Sequence, residues 1–204
     1  MPQQVTARRN SRRAFFCVVL VVIAASAVAM AQSRGDAARG AEKAAACAAC
    51  HGAEGRAPLP GMPALAGQQR EFLEGQLVLL REGLRNVPGM DGMLRPYNDR
   101  DLIDIAAYYN TIKPYTEAGA RDAQRHATGA AISKAMGCGG CHKPDYSGQR
   151  GIPRIVNQRE DYLAATLKAY RDDKRTGTDT NMNALMYGMN DENIAALAHY
   201  LAQQ

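Results

Sequence analysis

The sequence contains Cys-x-x-Cys-His twice, and this repeated motif constrains the fold more than any other feature. The first copy lies in CAACHG at residues 47–52 and the second in CGGCHK at residues 138–143. Their first cysteines are 91 residues apart in a chain of 204. The fifth cysteine, Cys17, lies in an apolar N-terminal stretch. For both copies to serve the same purpose, the sequence around them should repeat as well.

The sequence that follows the two motifs does repeat in register, which indicates a duplicated unit. The segment PALAGQQREFLEGQLVLLREGLR at 63–85 corresponds to PRIVNQREDYLAATLKAYRDDKR at 153–175. Six pairs at a spacing of 90 residues carry the match: Pro63 and Pro153, Gln68 and Gln158, Phe72 and Tyr162, Leu77 and Leu167, Arg81 and Arg171, Arg85 and Arg175. Two further similar segments, 97–112 and 189–204, are 92 residues apart.

Each half of the chain has the pattern of a small helical domain. Asn98 and Asn190 precede similar apolar-periodic segments with acidic residues in the first turn, which is typical of a capped helix. No segment alternates polar and apolar residues as a strand would. Pro114 should end the last helix of the first half. We therefore expect an all-α fold class, with two tandem domains at 35–114 and 115–204 related by internal duplication.

Cys-x-x-Cys-His is the attachment motif of covalently bound haem. The two thiols add to the two vinyl groups of the porphyrin, and the adjacent histidine becomes an axial ligand of the iron. A thioredoxin-like redox site would need a strand-helix-strand context that the sequence lacks. A structural zinc site would take all four thiolates and leave both histidines unexplained. We expect two haem c groups, with covalent attachment at Cys47, Cys50, Cys138 and Cys141 and axial ligation by His51 and His142.

Methionine is the expected sixth ligand, and the repeat distinguishes among the candidates. Methionines precede the last helix of each half: Met90 and Met93 in the first, and Met182, Met186 and Met189 in the second. Met90 lies eight residues before Asn98, and Met182 lies eight before Asn190. The other three have non-ligand counterparts in the opposite half. We therefore predict Met90 and Met182 as iron ligands and the rest as packing residues. A Met/His pair raises the reduction potential and suits electron transfer.

The two remaining histidines are poor candidates for the sixth ligand. His126 and His199 do not occupy equivalent places in the repeats, and we expect the first at the surface and the second at the surface or a haem edge. Pro63 and Pro153 lie 12 and 11 residues after the motif histidines. A backbone carbonyl there could accept the imidazole N–H and fix the ring. A plain turn proline is the alternative.

Residues 1–31 have the pattern of a signal peptide. Residues 1–13 carry four arginines and no acid, residues 14–31 are apolar or small, and the stretch ends in the cleavage pattern Ala-Met-Ala. Cleavage would give a periplasmic protein that starts near Gln32. An uncleaved anchor that keeps the protein at the membrane is the alternative. The stretch also resembles a twin-arginine signal, which directs folded proteins. Because haem is added after translocation, the chain should cross unfolded, which favours the general secretory route.

The charge distribution excludes nucleic acid as a partner. The formal net charge of the whole chain is +5, and it falls to +1 without the four arginines of the signal. Residues 35–114 hold nine basic and ten acidic side chains, and residues 115–204 hold eleven and ten. Neither half has the basic excess that nucleic-acid binding needs.

Residues 35–204 resemble the diheme class I c-type cytochromes of the cytochrome c4 family. The resemblance rests on CAACHG at 47–52, PALAGQ at 63–68, GMDGML at 89–94 and DLIDIAAYY at 101–109, with weaker counterparts in the second half. It implies two cytochrome c domains about a pseudo-twofold axis, with the haem propionate edges facing each other. It also implies that Gly40 meets Tyr108, and Gly129 meets Tyr200, where the first and last helices of each domain cross.

These features together predict an electron carrier rather than an enzyme, working between respiratory complexes in the periplasm. The expected partners are redox proteins such as a membrane respiratory complex, a terminal oxidase or a dehydrogenase, with no small-molecule substrate. A haem subunit of a dehydrogenase complex is the first alternative, because its ligation would be the same. A diheme peroxidase or thiosulfate oxidase is the second. A peroxidase needs an open or displaceable coordination site on one iron. A thiosulfate oxidase often uses a further cysteine as a ligand, and no cysteine outside the two motifs follows residue 31.

Overall fold

The computed structural model describes residues 35–114, 119–175 and 180–204. The predicted signal peptide at 1–31 lies outside the described residues, as does most of the predicted junction that follows Pro114. Within the described ranges the regular structure is helical, and the β pairing is confined to one isolated bridge between Gln149 and Ile152. This agrees with the all-α class predicted from the sequence.

The first half is built around two long helices. Its helices are α1 (Ala37–Lys43), α2 (Ala48–His51), α3 (Arg70–Arg81) and α4 (Asp99–Thr111), with 3-10 turns at Ala44–Cys47 and Ala53–Gly55 on either side of α2. Helices α1 and α3 both pack against α4. The last helix therefore forms the centre of this domain.

The second half repeats this arrangement. Its helices are α5 (Ala123–Ala135), α6 (Cys138–His142), α7 (Glu160–Arg171), α8 (Asn181–Met186) and α9 (Asp191–Ala202). Helices α5 and α7 both pack against α9, and α7 also packs against α8. The order and packing of α5, α7 and α9 thus reproduce those of α1, α3 and α4.

Asparagine caps fix the starts of the two last helices. The Asn98 side chain accepts a hydrogen bond of 3.0 Å from the backbone N–H of Asp101, whose own carboxylate accepts from the Asn98 N–H. At α9, the Asn190 side chain accepts from the Asn193 N–H at 2.8 Å. Such caps satisfy backbone donors that the first helical turn leaves free. The caps predicted from the sequence are confirmed, and they give the two halves a common reference point.

Close helix crossings join the first and last helices of each half. A Cβ atom built on Gly40 would lie 1.9 Å from the Asp104 carbonyl oxygen, and one on Gly129 would lie 2.1 Å from that of Ala196. Neither distance can be tolerated, so only glycine allows the helices this close. The Cβ atoms of Tyr108 and Tyr200 lie beside the same glycines, as the resemblance implies.

Each half has its own apolar core. The first is formed by residues of α3 and α4 with the turn before α2, and its buried members are Ala44, Leu73, Ile105, Ala106 and Tyr109. The second is larger and its buried members are Tyr146, Val156, Leu163, Leu167, Tyr170, Met186, Ile194, Leu197, Ala198, Leu201 and Ala202. Because a separate core is what defines a domain, the packing supports a division into two domains.

Two equivalent glutamines join the halves to each other. The Gln68 side-chain amide donates to the Arg154 carbonyl at 2.9 Å and accepts from the Arg154 N–H at 2.6 Å. The Gln158 amide makes the same pair of bonds with Ala64, at 2.9 and 2.8 Å. Both glutamines are buried. Residues 64 and 154, like residues 68 and 158, are 90 apart, so these contacts are related by an approximate twofold axis.

Candidate haem sites

Each Cys-x-x-Cys-His motif forms its own short helix, which ends at the histidine. Cys47 stands at the N-cap of α2, with Cys50 and His51 at its C-terminal end, whereas Cys138 opens α6 and His142 closes it. One helical turn therefore separates the two thiols of each motif and presents them on one side. The residue after each histidine has a positive φ, 74° at Gly52 and 66° at Lys143, and this conformation terminates the helix.

Both motif histidines are held by a backbone carbonyl of the opposite loop. The Nδ1–H of His51 donates to the Pro63 carbonyl at 3.0 Å, and that of His142 donates to the Pro153 carbonyl at 2.8 Å. Burial lowers the pKa of each imidazole, although the proline carbonyl raises it. A neutral ring with its proton on Nδ1 keeps the Nε2 lone pair free for a metal. The proline carbonyls thus have the role that the sequence predicts.

The methionine-containing segments match in burial as well as in spacing. Met90 and Met182 are both partly buried. The next register pair, Met93 and its counterpart Leu185, is exposed in both halves, at 52% and 44%. The pair after that, Leu94 and Met186, is buried in both halves, at 3% and 1%. Counting back from Asn98 and Asn190, which pairs Met90 with Met182, therefore pairs positions of similar burial in the two halves.

Two of the rival methionines differ in their surroundings. Met186 lies within the apolar core of the second half, which is the packing role predicted for it. Met93 is half-exposed, like its register counterpart Leu185, and its packing role around the haem stays a prediction.

The structure does not bring the four motif cysteines together. Cys50 and Cys141 are exposed, whereas Cys47 and Cys138 are partly buried. Within residues 35–114, 119–175 and 180–204, no group of three or more His, Cys, Asp or Glu side chains could hold a metal ion. The donor geometry therefore gives no support to the single zinc site considered from the sequence.

His199 is not a surface residue, so the first of the two positions expected from the sequence is wrong. Its side chain is 2% exposed. Its Nδ1–H donates to the Glu160 carboxylate at 2.8 Å, and its Nε2 accepts the backbone N–H of Asp122 at 3.0 Å. Both ring nitrogens are thus used to join the start of α5 to α7 and α9, which leaves neither for iron.

His126 has a partly buried position on α5. Its ring meets that of Tyr200 edge-on with centroids 5.0 Å apart. Its Nδ1 lies 2.9 Å from an Arg121 nitrogen. The helix crossing at Gly129 accounts for this position, because it brings α5 against Tyr200 of α9.

Comparison with known proteins identifies the family. The cytochrome c family model matches residues 37–113 and 126–204, one match in each half. The chain is 35% identical over 195 residues to the cytochrome c4 of Pseudomonas aeruginosa. The match covers 90% of this chain and 96% of that protein. The chain belongs to the cytochrome c4 family.

Two further relatives extend the comparison. The crystal structure of reduced recombinant cytochrome c4 from Pseudomonas stutzeri superposes with a TM-score of 0.77 at 34% identity, covering 82% of this chain and 98% of that one. A thiosulfate dehydrogenase electron acceptor from Thiomonas intermedia is 34% identical over 173 residues, covering 79% of this chain and 80% of that protein. The prediction of two tandem cytochrome c domains is confirmed.

Membership of the cytochrome c4 family establishes the cofactor and the general activity. The two domains imply two covalently bound haem c groups, and the family consists of electron-transfer proteins rather than enzymes. The donor set fits this cofactor, since each domain offers two thiols one helical turn apart and an imidazole with Nε2 free. A partly buried methionine follows in each domain.

The residues that join the two domains carry no motif that would identify them from the sequence. Gln68, Gln158, Arg85 and Arg175 were noted only as members of the repeat. The available signal was that these polar side chains recur at a spacing of 90 residues without belonging to a haem motif. A polar residue that recurs at equivalent positions of two domains is a candidate for the contact between them, because a twofold interface uses each such position twice.

Proposed function

We propose that this chain is a periplasmic electron carrier between respiratory complexes. In this proposal Cys47 and Cys50 attach one haem and Cys138 and Cys141 the other. The axial ligands are His51 with Met90, and His142 with Met182. The observation that carries the assignment is the repeated carbonyl contact of the two motif histidines, which prepares both Nε2 atoms for iron.

The residues of each site act by fixing the cofactor and closing it to substrate. The haem iron supplies reversible one-electron chemistry. Thioether links from the two cysteines of each motif would hold the porphyrin to that motif's short helix, where the proline carbonyl orients the histidine ring. A methionine as the sixth ligand would leave no open coordination site. This arrangement favours electron transfer over peroxidase chemistry, which needs an open or displaceable ligand.

The proposed location follows from the N-terminal sequence. Residues 1–31 carry a signal peptide pattern, and cleavage after Ala31 would release the mature chain. Within the ranges that the structure describes, no helix is long and apolar enough to cross a membrane. N-terminal sequencing of the purified protein should find Gln32 or a close neighbour first. Finding residues 1–31 still attached would instead indicate a membrane-tethered carrier.

Oxidation by membranes tests the proposed role. The purified protein is reduced with ascorbate, freed of the reductant and mixed with washed membranes of the host, while its α-band absorbance is followed. We expect rapid oxidation that stops when an inhibitor of the terminal oxidase is added, and no oxidation by boiled membranes. A reduced protein that native membranes leave unchanged would contradict a carrier that delivers electrons to a membrane complex.

A haem subunit that accepts electrons from a dehydrogenase is the second candidate. It is favoured by the similarity to the thiosulfate dehydrogenase electron acceptor of Thiomonas intermedia. The two roles differ in how the protein is purified, because a subunit accompanies a larger redox partner in fixed ratio. Reduction of the oxidised protein by a periplasmic extract with thiosulfate, lost when that partner is removed, would favour the second candidate.

A further inference from the structure

A groove between α3 and α4 of the first domain is lined by both apolar and acidic side chains. Its volume is about 610 Å³. The lining includes the apolar Val78, Leu79 and Ile103 and the acidic Glu71, Glu74 and Asp99. Val78 is 37% exposed although it is apolar. A ligand with an apolar stem and a positively charged end would suit such a lining.

The carboxylates of the groove outnumber the cations that pair with them. Arg70 lies 3.1 Å from an oxygen of Glu71 and 3.1 Å from one of Glu74, and Arg81 lies 2.7 Å from Asp99. Burial raises the pKa of Glu74, and the charge of Glu71 adds to this, although Arg70 opposes it. Arg70 therefore does not fully offset the burial of this carboxylate. A further cation beside Glu74 would stabilise its charged form.

The equivalent place in the second domain is occupied by a lysine. Lys168 on α7 has the position of Val78 in the repeat, and Asp191 at the start of α9 has that of Asp99. The Lys168 ammonium donates to the Asp191 carboxylate at 2.7 Å and so joins the two helices. The second domain thus shows that a lysine side chain fits between these two helices.

The acid that begins each last helix has different partners in the two domains. Asp191 pairs with two cations, Lys168 at 2.7 Å and Arg171 at 2.5 Å. Asp99 pairs with Arg81 at 2.7 Å, in the same way as Asp191 with Arg171. Among the residues that the structure describes, no second cation reaches Asp99. The first domain offers the carboxylate but does not supply the lysine.

A lysine from another molecule would match this groove in both shape and charge. The four-carbon stem of lysine covers apolar surface while its ammonium stays at a carboxylate. Carboxylates around an apolar contact also steer a basic partner toward it and fix its orientation. The features of the groove therefore point to a protein surface that presents a lysine.

We propose that this groove receives a lysine side chain from the docking surface of the protein that exchanges electrons with the carrier. The stem would pack against Val78, and the ammonium would lie near Glu74 and Asp99. Because Lys168 already occupies the equivalent position of the second domain, the partner would dock on the first domain. The inference rests on the carrier role proposed above.

Membrane oxidation tests the groove in the haem-loaded protein. The initial rate of oxidation by washed host membranes is measured at rising concentrations of reduced wild type and Val78→Lys. This variant gives the first domain the lysine that the second domain has at Lys168, and the new ammonium should occupy Asp99. We expect the half-saturating concentration to rise about fivefold, the upper range for one exposed ion pair. The maximal rate should not change, because neither haem site is altered.

A matched charge control accompanies this variant. Gln124→Lys adds the same charge at an exposed position of α5, outside the groove. Its half-saturating concentration should stay close to that of wild type, because solvent screens an isolated surface charge. Equal effects of Gln124→Lys and Val78→Lys would overturn the proposal, since they would show that total charge decides binding.

Removal of a carboxylate tests the same contact without filling the groove. Glu74→Gln should raise the half-saturating concentration about threefold at low salt, and the difference should shrink as salt rises. Glu192→Gln is the control, because it removes the same charge at an exposed position of α9. It should behave as wild type. Equal effects of the two substitutions would contradict a contact at Glu74.

The kinetic outcomes separate the docking site from the carrier role. Saturable oxidation that is the same in wild type, Val78→Lys and Glu74→Gln would overturn the docking site and leave the carrier role in place. A lower maximal rate in Val78→Lys at an unchanged half-saturating concentration would also overturn it, because the defect would then follow binding. Wild type that membranes do not oxidise would contradict the carrier role, and the proposed partner with it.

Two binding measurements test the other occupants of the groove. Wild type and Val78→Lys should sediment alike at the assay concentrations, and a wild-type dimer that dissociates in Val78→Lys would place a second copy of the chain in the groove. Neither protein should bind protein-free vesicles of phosphatidylethanolamine and phosphatidylglycerol. Vesicle binding by wild type that is lost in Val78→Lys would identify a lipid as the occupant. Either result would overturn the proposal.

Discussion

At the scale of residues, the sixth ligands of the two irons are the assignment with the most competing candidates, because other methionines lie nearby. Replacing Met90 or Met182 with alanine should remove about half of the far-red sulfur-to-iron absorption band of the oxidised protein, because each haem contributes one such bond. The potential of the affected haem should fall as well. Absorption spectra and redox titrations of the two single variants check both effects.

The neighbouring methionines provide the controls for these variants. Met93→Leu and Met186→Leu should leave the band intact, since leucine replaces methionine at little packing cost. Loss of the band in Met186→Leu, with Met182→Ala unaffected, would show that the register argument fails in the second domain.

Lys143 occupies a backbone conformation that suits glycine. Its φ of 66° and ψ of 159° match those of Gly52, 74° and 167°, at the equivalent point of the first motif. A non-glycine residue in this region costs about 1–3 kcal/mol. Lys143→Gly should therefore stabilise the protein by about 1 kcal/mol after the greater chain entropy of glycine is allowed for. Chemical denaturation measures this, and a destabilised variant would show that the Lys143 side chain outweighs the strain.

The sequence predicts the contacts within each Cys-x-x-Cys-His site better than the contacts between distant helices. The thiols, the histidines and the proline carbonyls follow from fixed chemical requirements, so spacing alone locates them. The burial of His199 was not predicted, because helical periodicity cannot show that Glu160 and the Asp122 N–H would enclose a polar ring. Such a contact depends on a third helix, whose position the local sequence does not contain.

At the scale of helices, the close approach of α1 and α4 at Gly40 can be tested by substitution. Gly40→Ala should destabilise the protein by about 2 kcal/mol or more, because its Cβ would lie 1.9 Å from a backbone oxygen of α4. Gly75→Ala, at an exposed position of α3, is the control. A Cβ at Gly75 meets nothing within 4 Å, and alanine favours a helix by about 1 kcal/mol over glycine. The thermal unfolding midpoint should thus fall in Gly40→Ala and rise in Gly75→Ala. Equal shifts in the two variants would contradict a close crossing at Gly40.

The two cores are filled by different residues at equivalent places, which the repeat alone does not reveal. The Leu65 N–H donates to the Gly55 carbonyl and the Ile155 N–H to that of Tyr146, so Gly55 and Tyr146 are counterparts. A Cβ at Gly55 would lie 2.8 Å from the Tyr109 ring. The last helix therefore supplies the aromatic ring in the first domain, whereas the loop supplies it in the second. Helix positions follow from periodicity, but such exchanges depend on three-dimensional packing.

At the scale of the whole molecule, the glutamine pair should couple the domains. Gln68→Leu would leave the Arg154 N–H and carbonyl without these partners in a buried place, at a cost of about 1–3 kcal/mol. We expect denaturant unfolding to become broader or biphasic as the domains separate. Gln124→Leu, at an exposed position of α5, should change little. A single sharp transition with unchanged midpoint in Gln68→Leu would contradict this role.

The architecture of the molecule follows from its duplication, whereas the contact between its halves does not. The repeat predicts two domains of the same fold, because both copies contain the same helices and motifs. It does not predict that Gln68 and Gln158 face one another, since a repeat shows which positions are equivalent but not which surfaces meet. That information comes from the reciprocal bonds to residues 64 and 154.

Intact mass spectrometry of the purified mature protein tests the central claim most directly, because covalently attached haem stays with the chain after denaturation. The account predicts that wild type carries two haem masses. It predicts that Cys47→Ser with Cys50→Ser, and likewise Cys138→Ser with Cys141→Ser, each leave one haem on the other domain. A wild-type chain with one haem, or a pair of serine substitutions that leaves both haems attached, would contradict it.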